Sequence, residues 1–287
     1  MRMINHSLSS RQVLSQDEIF RVAPSVFASA PHEAVSEKYR FIPTFEMLDT
    51  LKKEGWECVQ AGEHKVRCIS KKGFQKHMLR LRNPNLARIG DSEIDLLVYN
   101  SHDRTTGFKF MAGVYRFVCA NGMVTGQNIF GHSVKHVGYR AEDAIEASYR
   151  LIDSVGKISE SVEGMRSLIL TPDQRVAFAT SALTAKYGTP EAGQIFPITA
   201  SDLLRPRRSE DAVTNSLWET LNVIQENSIL GGQRGRAISP TTGRMKRTTT
   251  RGVSSITENS KLNAALWTLA DDEMKKLVSV PSLPMAA

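Results

Sequence analysis

The residues whose types and spacing could carry chemistry fall in three places. The first is Asn100-Ser101-His102-Asp103, which follows an apolar run ending at Tyr99. A loop at the end of a strand holds functional groups on a rigid scaffold. There His102 would act as a general base oriented by Asp103, or would join Asp91, Glu93 or Asp95 around a metal ion. The competing reading is a polar turn, because Asn, Ser and Asp bond the local backbone. The second place is Cys58, His64 and Cys68. These would bind zinc only with a fourth ligand such as His77 or Cys119, and their spacings lack the close pairs of zinc modules; buried thiols are the alternative.

The third place is a pair of basic stretches. From His64 to Gly90 there is no acidic residue, while Lys65, Arg67, Lys71, Lys72, Lys76, Arg80, Arg82 and Arg88 are cationic. From Gly231 to Ile256 the pattern returns with Arg234, Arg236, Arg244, Lys246, Arg247 and Arg251. Either stretch accounts for most of the net charge of +7. Lysines and arginines placed so release counterions from a nucleic-acid backbone; the plainer reading is a solvated strand face and a soluble loop. The aromatics Trp56, Phe74, Tyr99, Phe108, Phe110, Tyr115 and Phe117 could stack on bases, Phe74 best of all between Lys72 and Lys76, although alternating aromatics are more often core. The chain has no G-x-x-x-x-G-K-S/T, G-x-G-x-x-G or G-x-S-x-G, so nucleotide hydrolysis, dinucleotide binding and nucleophile-elbow hydrolysis lack their signatures.

The elements that must position these residues divide at about residue 140. Residues 1–40 read as a loose arm with one short helical stretch. Pro43 and Gly55 bracket a helix with Phe45, Leu48 and Leu51 inward. Period-two alternation then predicts strands at 56–60 and 65–70, joined at Ala61-Gly62. A third strand at 77–82 has a basic face, two apolar strands follow at 94–99 and 108–119, and Asn121-Gly122 signals a hairpin. Beyond residue 140 the period is helical. Thr171-Pro172 opens one helix, Ser209 caps another, and a last one runs from about 260 to 278. The fold class is α+β: an N-terminal antiparallel sheet with one early helix, then a mainly helical half. The organisation is an arm at 1–40, a sheet domain at 41–140, a helical region at 141–230, a basic flexible loop at 231–256 and a C-terminal helix and tail at 257–287. That loop holds almost no large apolar residue, so it is expected to order only on a partner.

Several stretches together resemble one family. They are Ala23-Pro24-Ser25-Val26-Phe27, residues 36–44, residues 76–82, Asn100 to Asp103 and residues 111–124. In the second half they are Pro206-Arg207-Arg208, Leu217-Trp218, Gln225-Glu226-Asn227, Gly231-Gly232, Leu262-Asn263 and Ala265-Leu266-Trp267. They are similar to the phage/plasmid-like family known as domain of unknown function 932. After Asp103 that family tends to continue Gly-Ser-Ser, where this chain has Arg104-Thr105-Thr106. The resemblance implies carriage on prophages or plasmids and a cytoplasmic product, and transfers no activity.

The expectation is therefore a nucleic-acid-binding accessory protein of a mobile element, serving recombination, annealing or single-strand protection, with DNA as partner. The alternatives are a metal-dependent enzyme of nucleic-acid metabolism centred on His102 and Asp103, and a protein-binding inhibitor of a host factor. No cofactor is expected, and oligomerisation stays open. No run approaches the ~20 apolar residues of a membrane span. No apolar segment follows the N-terminal arginine to make a secretory signal. The odd count of three cysteines fits a reducing compartment.

Overall fold

The computed structural model describes residues 8–9, 12–36, 39–90, 92–116, 123–124, 131–134, 141–212, 214–239, 242–253 and 255–279. The chain divides into two units, Met1–Ile158 with Ser254–Ser260, and Ser159–Val253 with Lys261–Ala287. The first unit is built on strands β1 (Leu8–Ser9), β2 (Glu57–Glu63), β3 (His77–Arg82), β4 (Ser92–Asn100), β5 (Phe108–Arg116), β6 (Met123–Val124) and β7 (Gly131–Val134). They form one antiparallel sheet in the order β1-β2-β3-β4-β5-β6, with β7 paired to the first half of β5. Helices α1 (Gln16–Val22) and α2 (Thr44–Lys53) precede β2 in sequence.

Register assigns the two faces of this sheet, because side chains alternate along a strand. Leu79 and Leu81 of β3 share a face with Leu96 and Val98 of β4 and with Phe108, Phe110, Ala112 and Val114 of β5, and all are buried. The other face carries a smaller apolar cluster of Leu97, Tyr99, Met111 and Tyr115, with Met78 packed against it. Into that second face are set four charges, Arg80, Arg82, Glu93 and Asp95, which makes it the unusual one.

The sheet corrects the sequence reading in two places. Strand β2 does not turn at Ala61-Gly62: Gly62 pairs with Met78, and the strand runs on to Glu63. Residues 65–70 are no strand but part of the connection to β3, with a 3₁₀ turn at Ile69–Lys71. Their alternation has no buried face to hold it, since Cys68 is exposed and Ile69 is 88% exposed. In the N-terminal arm, residues 12–36 are packed against the sheet domain. Leu14, Ile19, Val22 and Val26 are buried, and Leu14 N–H donates to the Cys58 carbonyl of β2. Ser15 closes a capping box with Glu18 at the start of α1. The hairpin expected at Asn121-Gly122 lies outside the described residues, as do Phe117, Cys119 and the tail beyond 279.

Helix α3 (Ala141–Ser167) leads into the second unit, which contains α4 (Pro172–Tyr187), α5 (Ala200–Leu203), α6 (Leu217–Leu230), strands β8 (Arg234–Ile238) and β9 (Met245–Thr249), and most of α7 (Ile256–Ser279). Thr171 caps α4 in a capping box with Gln174, where the sequence places it. Helix α6 starts later than expected. Its cap is Ser216, whose hydroxyl accepts from Glu219 N–H, and Ser209–Ala212 is a separate 3₁₀ turn. From Leu217 to Ile229 every residue of α6 except Glu219 is buried, so it is the central helix of its unit. Among the described residues no helix is long and apolar enough to cross a membrane.

Candidate nucleic-acid interface

Residues 231–256 form no structureless loop: β8 and β9 pair antiparallel into a two-stranded hairpin. Poverty in large apolar residues suggests disorder, but the order is supplied from outside the segment. At its base, Gln233 and Thr250 exchange backbone and side-chain hydrogen bonds, and Val253 N–H donates to the Ile229 carbonyl. Arg207 donates to the Asn227 side chain at 2.7 Å and to the Gly231 carbonyl. Asn227 donates in turn to the carbonyls of Leu203 and Arg205, and Arg208 pairs with the buried Glu226. Gly231 has φ of 63°, and a Cβ there would lie 2.5 Å from the Arg251 carbonyl carbon, so the chain can leave α6 this closely only as glycine. Along β8, Arg236 N–H donates to the Pro197 carbonyl, and a Cβ on Gly235 would lie 1.8 Å from that same oxygen. The hairpin is pinned at its base and along one strand.

The pinned ribbon holds its arginines on one face. Arg236 stands directly opposite Arg247, and Arg234 opposite Thr249, two residues along and therefore on the same side. All four are exposed. With Gly235 and Thr248 they line a cavity of about 630 Å³. Among the described residues no carboxylate lies within ion-pair distance of Arg234, Arg236, Arg247 or Lys246. Like charges directly opposite on a ladder destabilise it, by an amount on the order of 0.2–1 kcal/mol. Arg244 is in the turn and Arg251 follows β9, both exposed. Sequence reasoning named these cations but missed Thr248, Thr249 and the anchors Arg207, Asn227, Gln233 and Thr250. The period-two spacing of Arg234 and Arg236 around Gly235 is the signal that could have shown a strand.

The first basic stretch does not form one surface. Arg80, expected on an exposed basic face, is buried; its Nε lies 3.3 Å from Asp95, and its guanidinium stacks over Tyr115 at 4.1 Å. Arg82 pairs with Asp95 at 3.2 Å and with Glu93 at 2.5 Å, and Arg88 reaches Glu93 at 3.6 Å. Register causes this, since β3 lies alongside β4 with Arg82 opposite Asp95. Lys71 pairs with Asp103 at 3.7 Å, and Lys76 approaches the Thr257 hydroxyl at 3.5 Å. Lys65, Arg67 and Lys72 remain on the exposed connection between β2 and β3. Phe74 packs edge-on against His32, half-buried, and is no open stacking platform.

His102 and Asp103 each have contacts of their own. Asp103 accepts from Thr105 N–H at 3.1 Å and from the Thr105 hydroxyl, forming the polar turn that is the plainer reading. His102 is 0% exposed, its ring between Phe41 and His77 at 4.8 and 5.0 Å. Glu93 and Asp95 lie back along β4 from His102, roughly 20–30 Å away at ~3.3 Å per residue, so they cannot share a metal with it. Asp91 lies outside the described residues. Among the described residues no group of three His, Cys, Asp or Glu could hold a metal ion. Cys58 is buried in β2, which pushes its thiol up to about 12. Cys68, exposed on the connection, bonds Ser70.

What surrounds His102 is a buried polar chain that ties the N-terminal segment to the end of the sheet. Asn100 donates to the Thr44 hydroxyl at 2.9 Å, and Thr44 Oγ1 lies 2.8 Å from His77 Nε2. His77 Nδ1 is 3.1 Å from both the Gln75 carbonyl and the Ser25 hydroxyl. A carbonyl only accepts, so Nδ1 carries the proton and Nε2 accepts from Thr44. Burial lowers the His77 pKa to about 4 from the ordinary 6.5. The unfolded chain therefore binds this proton first. Stability is full above pH 6.5 and is lost as pH falls towards 4, by about 3 kcal/mol. Urea midpoints at pH 7 and pH 4.5 check this: the wild type should lose more than His77→Gln, and equal losses would refute it.

Arg104, in the same turn, has φ of 63°, the left-handed region that costs an L-residue ~1–2 kcal/mol. Arg104→Gly should stabilise the protein by about 0.5–1 kcal/mol after the entropy of glycine is set against the relief. A melting midpoint that falls would contradict this.

An antiparallel sheet tied to N-terminal helices, a helical second unit and a pinned arginine hairpin define an α+β protein with a cationic ribbon. The chain belongs to the family described as domain of unknown function (DUF932), whose model matches residues 31–267. Two relatives from Escherichia coli (strain K12), UPF0380 protein YfjQ and UPF0380 protein YafZ, are 38% and 37% identical over 264 residues, covering 92% of this chain and 93% of each relative. No solved structure matches.

Proposed function

We propose that this protein binds nucleic acid, DNA in the first instance, through the β8–β9 hairpin, as an accessory protein of a prophage or plasmid. The observation that carries the reading is the Arg236–Arg247 pair: two guanidiniums directly opposite on an ordered, anchored ribbon, with no carboxylate beside either among the described residues. A polyanion offsets that repulsion, and guanidinium forks bind phosphate oxygens bidentately. Exposed Arg244 and Lys246 extend the charge towards the tip.

The test is binding of purified, nuclease-treated protein to labelled DNA across a salt series, with products run on a denaturing gel. Intact strands bound with an affinity that falls linearly in log–log form against salt support the reading. Absence of binding at low salt refutes it.

A further inference from the structure

We infer that the β8–β9 hairpin is a ribbon for the major groove of double-stranded DNA, with Arg236 and Arg247 directed at base edges. The inference rests on the proposed function and moves the substrate from the single strands suggested by the sequence to the duplex. Three observations carry it. First, β8 and β9 pair as a two-stranded sheet of their own. Two strands ~4.8 Å apart fit a groove ~12 Å wide, and such ribbons are among the few elements that the groove admits. Second, the ribbon has one open face. The Gly235 side is closed by Pro197 and Ile198, while Arg234, Arg236, Arg247 and Thr249 point the other way. Third, residues 231–253 contain no Phe, Tyr or Trp. Single-strand binding draws much of its strength from bases stacked on aromatic rings, and this ribbon offers none.

The chemistry of the face suits the groove floor. A guanidinium donates two parallel hydrogen bonds to guanine O6 and N7, the commonest specific contact there. Arg236 and Arg247 sit side by side at the middle of the five-residue strands, where a ribbon reaches deepest. Arg244, nearer the tip, is placed for a flanking phosphate, while Lys246, opposite Ala237, points to the other side of the ribbon.

The experiment uses the full chain with a G·C-containing duplex and its separate strands, and probes the complex with dimethyl sulfate. That reagent methylates guanine N7 in the major groove and adenine N3 in the minor groove. The expected result is duplex binding at least about tenfold tighter than to either strand, with guanine N7 protected and adenine N3 not. Arg236→Lys/Arg247→Lys keeps the charge and loses the planar fork, so it should retain the salt dependence and reduce the N7 protection. Equal or tighter binding of single strands, or protection of adenine N3 alone, overturns the inference and leaves the proposed function standing. No salt-dependent binding to either form removes both.

Discussion

Arg247→Glu should weaken DNA binding by about 100-fold or more at low salt, while the melting midpoint stays the same or rises. The two halves of this expectation have one cause. Arg247 is exposed, faces Arg236 across the ladder and has no partner carboxylate among the described residues. Reversal to Glu turns a repulsive cross-strand pair into an attractive one, which favours the hairpin by about 0.2–1 kcal/mol. The same change removes one cation from the ribbon face and adds an anion, so the polyanion is repelled where it was attracted. Affinity by fluorescence anisotropy and stability by thermal melting, on the same samples, separate the effects. Affinity lost only in step with lost folding would make Arg247 structural.

Asp95→Ala should destabilise the protein by about 3–5 kcal/mol, the range for a buried ion pair broken from one side. Asp95 is 0% exposed and lies between Arg80 and Arg82. Burial raises its carboxyl above the ordinary aspartate value, and the guanidiniums of Arg82 and Arg80 pull it back. Without it the buried Arg80 loses its ion pair and keeps the face of Tyr115. Urea denaturation measures the loss. Arg80→Met/Asp95→Leu, which removes both charges from the buried site, should lose less than Asp95→Ala alone. A loss under about 1 kcal/mol for Asp95→Ala, as for an exposed pair, would show that the network is solvated.

The same network explains how far the sequence can be read. Local signals are legible: Pro43 and Gly55 bracket α2, Thr171 caps α4, and alternation finds β3, β4 and β5. Pairing is not local. Arg80 and Arg82 read as a basic face because nothing in the sequence says that Asp95 and Glu93 of β4 will lie beside them. The alternation at 65–70 reads as a strand although Cys68 and Ile69 gain no buried face. Residues 231–256 read as a flexible loop because their anchors, Pro197, Arg207 and Asn227, lie outside the segment. His102 and Asp103 are neighbours in sequence, yet one side chain enters the buried chain around His77 and the other turns back to Thr105. Arg104 is a further case: nothing in the residue type announces the left-handed backbone it adopts.

The measurement that bears most directly on the hairpin as the nucleic-acid surface is the salt dependence of DNA affinity in the wild type and in Arg236→Ala/Arg247→Ala. Each phosphate neutralised contributes ~0.9 to the slope of log affinity against log salt, and a guanidinium in the groove neutralises backbone charge less fully than one on a phosphate, so the double variant should bind at least about tenfold more weakly with a slope shallower by up to about two. Its melting midpoint should not fall, since two opposed charges have been removed. An unchanged slope and affinity in a folded double variant would contradict the assignment and place any DNA contact elsewhere on the chain.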